Sequence, residues 1–228
     1  MNIRVSEGWR KTYPEAIVGM LAMVGVENPT EHFALTERAR QLEADLRSQW
    51  SGMARADLNQ IPEFEAYRRY YRRFHKTYPV EMQYESIALK GKQLHSNSAL
   101  VLAMFAAEIH NRLLTAGHDL AMIEGAISIN VAEGGEQYTG LGGRDLTLQP
   151  RDIYTQDEVG IISSVLFGPD DRTRITENTH RVLFCVYAPI GVRPEAVENH
   201  LKEIASNVRL VAPQASVMSE QIYTTGGH

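Results

Sequence analysis

Hydrophobic and polar residues follow three patterns along this chain, and each predicts a different kind of element. Ile3-Arg4-Val5 alternates as a short strand does. Ala16 to Val26 is apolar throughout and carries two glycines, which suits a strand covered on both faces. Asn28-Pro29 reads as an N-cap and first helical residue. The helix that follows puts Leu35, Ala39, Leu42, Leu46 and Trp50 on one stripe, with Glu37, Arg38, Arg40, Glu43 and Arg47 elsewhere around it.

Pro62 opens a second helix with Phe64, Tyr67, Tyr71 and Phe74 at spacings of three and four. Its other columns hold Arg68, Arg69, Arg72, Arg73 and Lys76. Two readings stay open for these cations: a solvated charge face, or a surface that binds phosphates and releases counterions. Ser98 is a possible N-cap for a helix whose residues Ala99 to Ala107 are wholly apolar, so that helix belongs inside the protein. At its end, Glu108 and Arg112 stand four apart and can pair.

From Gly125 the period changes to two: Ile127, Ile129 and Val131 alternate with Ser128 and Asn130. Gly134-Gly135, Gly142-Gly143 and Gln149 to Asp152 punctuate a meander of short strands. Val159 to Phe167 reads as a buried strand carrying Ser163 and Ser164, and Gly168 to Asp171 as the turn that ends it. Val182 to Tyr187 is a core strand, and Pro194 begins a last helix with Val197, Leu201, Ile204 and Val208 inward. The pattern predicts one domain over residues 1–213: a strand-helix portion at 1–60 and a pocket-bearing core at 61–213. Residues 214–228 are expected to form a loosely held tail.

Composition narrows the picture. With 228 residues, 43% of them hydrophobic, the chain can bury a sizeable core without a disulfide scaffold. Its one cysteine, Cys185, sits in a core strand, where a structural thiol is expected. A formal charge of −5 argues against indiscriminate coating of nucleic acid, and no DNA partner is expected. No apolar run approaches 18 residues and the N-terminus lacks signal-peptide character, so the expected location is the cytoplasm, with no membrane partner.

Candidate chemistry concentrates between Glu108 and Phe167, where polar groups interrupt apolar segments. Asn111, His118, Asp119, Glu136, Asp145, Ser163 and Ser164 suit recognition of an amine and a hydroxyl and orientation of a water. His118, Asp119 and Glu136 have the side chains of metal ligands but no metal-binding spacing, so no metal or other cofactor is expected. A triad of Ser163 or Ser164 with His118 and Asp119 lacks a nucleophile turn. Hydrolysis at such a site would therefore use a positioned water rather than a covalent serine.

The succession Asn111, Leu114-Thr115-Ala116-Gly117-His118-Asp119-Leu120, Gly134-Gly135-Glu136-x-Tyr138, Gly168-Pro169-Asp170-x-Arg172-Thr173-x-Ile175 and Val186-Tyr187-Ala188-Pro189 resembles free-standing proteins with the tRNA-binding B3/B4 domain. That domain also forms the editing site of the bacterial phenylalanyl-tRNA synthetase beta subunit, which removes tyrosine from the phenylalanine tRNA. The resemblance implies an α+β fold of three layers, β/β/α, with mostly antiparallel short strands and several amphipathic helices. It implies a tRNA partner and trans-editing hydrolysis of mischarged aminoacyl-tRNA. Asn111 and Asp119 match residues around the synthetase's second helix, Asp145 falls near its hydroxyl-receiving glutamate, and Ser164 falls among its small pocket residues. One position departs: the synthetase has a histidine where this chain has Ala116, and His118 lies two places further on.

The expected assignment puts His118, Asn111 and Ser164 at the chemistry, and Asp119, Glu136, Asp145 and Ser163 around the substrate. Arg68, Arg69, Arg72, Arg73 and Lys76 would contact RNA. A non-catalytic RNA-binding module and a pocket for a free amino acid or small metabolite stand as alternatives.

Overall fold

The structure, a computed structural model, describes residues 2–225. It begins with β1 (Ile3–Val5), a short α1 (Glu7–Thr12) capped by the Ser6 hydroxyl, and the buried strand β2 (Ile17–Val24). Helix α2 (Phe33–Gln49) starts four residues later than the sequence suggests. Asn28 is a cap all the same, but for a helix far along the chain. Its Oδ1 accepts hydrogen bonds from the Leu100 amide at 2.9 Å and the Ser98 hydroxyl at 2.8 Å, at the start of α5 (Ala99–Asn111).

Between them lie a 3-10 turn at Arg55–Gln60, α3 (Pro62–Arg72) and α4 (Pro79–Ala88). The sequence reading did not anticipate α4, because Glu81 and Glu85 fall among its buried positions and obscure the apolar stripe. The strands that follow are β3 (Thr115–Asp119), β4 (Ile127–Val131), β5 (Gln137–Gly140), β6 (Arg144–Thr147), β7 (Ile153–Gln156), β8 (Ile161–Ser164) and β9 (Gly168–Pro169). The chain continues through β10 (Arg181–Ala188), α6 (Pro194–Val211) and β11 (Ser216–Thr224).

These strands form a five-stranded sheet ordered β1-β4-β7-β8-β9, a four-stranded sheet ordered β11-β2-β10-β3, and the separate hairpin β5-β6. The β1–β4 pair is parallel; every other pair is antiparallel. On one face the four-stranded sheet carries helices. A Cβ built on Gly19 of β2 would stand 2.6 Å from Val197 of α6, so only a bare backbone lets that helix lie so close. On the other face the Tyr187 hydroxyl of β10 meets Thr155 of β7 at 2.8 Å and Ser163 of β8 at 2.6 Å. The result is an α+β fold in three layers, sheet on sheet on helix. Among the described residues no helix is long and apolar enough to cross a membrane.

Two further expectations are corrected. The tail is not loose where it is described: β11 pairs with β2 along nearly its whole length. Glu108 and Arg112 do not pair, because Arg112 takes a left-handed backbone (φ 62°) that ends α5 and turns its side chain toward Glu63, 3.4 Å away.

Candidate functional site

Helix α3 reaches both sheets with three tyrosine hydroxyls. Tyr67 donates to the Tyr187 carbonyl at 2.6 Å, Tyr70 to Asp152 Oδ1 at 2.9 Å, and Tyr71 to the Val165 carbonyl at 2.7 Å. Where the helix, β3 and the turn after β8 meet, a cleft of about 270 Å³ opens. Its wall includes Tyr71, Pro79, Leu114, Ala116, Val165 and Phe167, so it is largely carbon, and Ser164 supplies a hydroxyl. Ser164 closes β8 just before a tight turn, where its Oγ accepts the Phe167 amide at 3.1 Å.

Behind Ser164 lies Asp152, fully buried. Burial pushes its carboxyl up to about 7, against hydrogen bonding from Tyr70, the Ser164 hydroxyl and the Leu166 and Ile153 amides. The Ser164 contact biases the charge without a formed hydrogen bond: Oδ2 has no partner among the described residues. Glu108 is also buried, beneath the tyrosines of α3 and α4. Desolvation raises it to about 8, although the Thr115 amide donates to its Oε1 at 2.6 Å. Asp152 was not among the residues expected at the site. Asp152 reads in sequence as turn punctuation, and only its complete burial marks it out.

A second cleft, of about 460 Å³, adjoins the first and is polar. Arg55, Arg68, Arg72 and Lys76 line it, Arg55 paired with Glu85 at 3.1 Å and Arg68 with Glu81. Lys76 joins the two clefts, since its Nζ sits 4.5 Å over the ring of Phe167 in the apolar wall.

The five expected RNA contacts do not act as one surface. Arg68 is buried and forks onto Glu81 through Nε and Nη2 with contacts of 2.6 to 3.0 Å, and Nη2 also donates to the Leu58 carbonyl at 3.2 Å. Arg73 lies over the Tyr13 ring at 5.6 Å, and Arg69 faces Glu65 at 3.8 Å. Arg72 and Lys76 turn into the polar cleft.

Nor do the seven expected site residues share one cavity; among them, only Ser164 lines the apolar cleft. Asn111 donates to Glu203 Oε2 at 2.6 Å and faces His200, binding α5 to α6. His118 is fully buried with Nδ1 on the Thr173 hydroxyl at 2.8 Å, and burial drives its imidazole down to about 3, so it is neutral at physiological pH. Asp119 caps the turn after β3, accepting from the Ala121 amide and the Thr179 hydroxyl. Glu136 accepts the Glu133 and Gly134 amides at 2.7 and 2.8 Å. Those bonds outweigh its desolvation and hold its carboxyl low. Asp145 is exposed on the β5–β6 hairpin, and Ser163 is spent between Thr155 and Tyr187. Polar residues inside apolar segments were legible in the sequence. What they bond to was not, and most of them turn out to satisfy the fold.

Residues 110–211 match the family model described as the B3/4 domain. That match spans a little under half of the chain. No match is found among curated proteins. Among solved structures, the chain aligns with an N-terminal fragment of the phenylalanyl-tRNA synthetase beta-subunit from Pyrococcus horikoshii at 12% identity and a TM-score of 0.48. That alignment covers 97% of this chain and 50% of that one, so the chain spans about half the length of the solved structure. The B3/4 match includes the Leu114–Ala116 and Ser164–Gly168 walls of the apolar cleft and Tyr187. Tyr71, Pro79 and the whole polar cleft come from residues before it.

Proposed function

We propose that this protein, similar to the B3/4 domain over residues 110–211, binds aminoacyl-tRNA and hydrolyses the ester of a mischarged amino acid in trans. The observation that carries the reading is the junction at Lys76. A cleft rich in cations suits the phosphates of an RNA end, and beside it lies a small apolar cleft. At about 270 Å³ the latter falls below the ~300–1,000 Å³ of sites for drug-sized ligands, a size suited to one amino-acid side chain. The ester to be cut would then lie at the mouth, near Ser164. The resemblance to the editing domain supports the same reading.

An already activated ester needs only an aimed water, a proton acceptor and donors for the developing oxyanion. The test is a panel of labelled mischarged tRNAs, scored for released amino acid. Release from some tRNAs and not others supports the proposal. A pure sample that binds tRNA but releases nothing makes it a binding module, and one that binds only free amino acids makes it a small-molecule site.

A further inference from the structure

Two hydroxyls flank the Asp152 carboxyl, and each has its oxygen engaged by a backbone amide. Tyr70 Oη accepts the Ile153 amide at 2.8 Å and gives its proton to Asp152 Oδ1. Ser164 Oγ accepts the Phe167 amide at 3.1 Å, which leaves its own proton free. Two acceptors are near that proton: Tyr138, whose own proton goes to the Gly168 carbonyl at 2.7 Å, and the open Oδ2 of Asp152. A carboxylate is the stronger acceptor, because bonds to an ionised group are roughly twice as strong as neutral ones. Ser164 is also the member of this group that lines the apolar cleft, so its hydroxyl belongs both to the cleft and to the surroundings of the sealed carboxyl, to which it forms no hydrogen bond here.

We propose that Asp152 is the proton acceptor of the reaction, acting through Ser164 as a relay. This rests on the deacylase reading. Water attacks the ester carbonyl carbon and forms the new C–O bond. Its proton passes to Ser164 Oγ as the serine proton passes to Asp152 Oδ2. When the tetrahedral intermediate collapses, the bond to the ribose oxygen breaks and that oxygen takes the proton back along the same line. The free amino acid then loses its carboxyl proton to solvent. No acyl-enzyme forms, and Asp152 is a positioning and relay residue that never touches substrate. Contacts of this kind are often long without substrate and tighten when it binds.

The groups facing Asp152 are Tyr70 and Tyr71 from α3, Tyr138 from β5, and Tyr13 beyond α1. Burial raises all four phenols above their ordinary value, so none titrates with it near neutrality. Among these groups Asp152 alone titrates near neutrality; Glu108, raised to about 8 behind Thr115 of the same cleft, is told apart by Asp152→Asn, which removes only the inflection near 7. In the native protein the rate should rise with pH through an inflection near 7. Asp152→Asn keeps the shape and the Tyr70 bond, and should cut the rate by roughly 10²–10⁴ and abolish the inflection. Tyr70→Phe removes one donor to the carboxylate and should move the inflection upward. Carbon-13 spectra of labelled aspartate follow the Asp152 titration without substrate, and Ser164→Ala should move it upward too.

Deacylation in Asp152→Asn with an unchanged inflection overturns the relay and leaves the deacylase reading intact. An Asp152 titration indifferent to Ser164→Ala also overturns it. No deacylation of any ester by the native protein overturns the deacylase reading, and this step with it.

Discussion

Arg68 and Arg72 stand one helical turn apart, but Glu81 takes both arms of the first and leaves the second facing an open cleft. Removing one partner of a buried ion pair strands the other, at ~3–5 kcal/mol. Arg68→Ala should therefore lower stability in urea by about that amount, while Arg72→Ala leaves the unfolding midpoint nearly unchanged. Glu108 supports a second prediction at this scale. Its folded carboxyl is raised by burial to about 8 from an ordinary value of 4.5, so between those values the folded state holds a proton that the unfolded state has released. Its contribution is full below about 4.5 and is lost as pH rises toward 8, at a slope of up to ~1.4 kcal/mol per pH unit. His118, lowered to about 3, has the opposite sign, but its window closes near 6.5. Between pH 7 and 8 the imidazole no longer contributes; Asp152, raised to about 7, adds a decline of the same sign that fades above 7, so Glu108→Gln should flatten most of the decline in unfolding free energy measured near pH 8.

The four-stranded sheet and α6 are held by a close approach. A Cβ on Gly19 would meet Val197 Cγ1 at 2.6 Å and Leu201 Cδ1 at 3.2 Å, both on α6. Gly19→Ala should cost ~1–3 kcal/mol by overpacking, with part of the loss restored by Val197→Ala, as thermal melts would show. Strand β11 protects the other side of the same element. Residues 17–24 of β2 are apolar along their whole length, and without β11 their backbone would become a sheet edge. Deleting residues 216–228 should therefore produce concentration-dependent aggregation in light scattering, because a long, flat, apolar edge recruits other strands.

For the molecule as a whole, the formal charge of −5 and the cationic cleft belong to different places, and binding to RNA depends on the place. If Arg72 and Lys76 contact phosphates of a single-stranded end, replacing both by alanine should flatten the log–log salt dependence of tRNA affinity by about 1.4. Arg73→Ala, which removes a cation seated over Tyr13, should leave that slope unchanged. An equal change from all three would return the helix to a general charge face.

Local chemistry determined much of this protein. Apolar runs located β2, α5 and β10, because an element buried on nearly every face has little freedom in composition, and the inward stripe Val197, Leu201, Ile204 and Val208 located α6. The same reading anticipated the aromatic stripe of α3. The succession of residues around Asn111, His118, Gly134 and Gly168 carried the B3/B4 resemblance. What the sequence left open was the partner of each polar side chain, since hydrogen bonds that join residues 70 and 152, or 28 and 100, leave no local trace. Asp119, Glu136 and Asn111 have the side chains of a site and serve as caps and struts. Asp152 has those of a turn and lies behind the cleft. Bonding distinguishes them: Asp119 is buried with both oxygens satisfied, whereas Asp152 is buried with Oδ2 left without a partner among the described residues, and such partners exist only once the layers are packed.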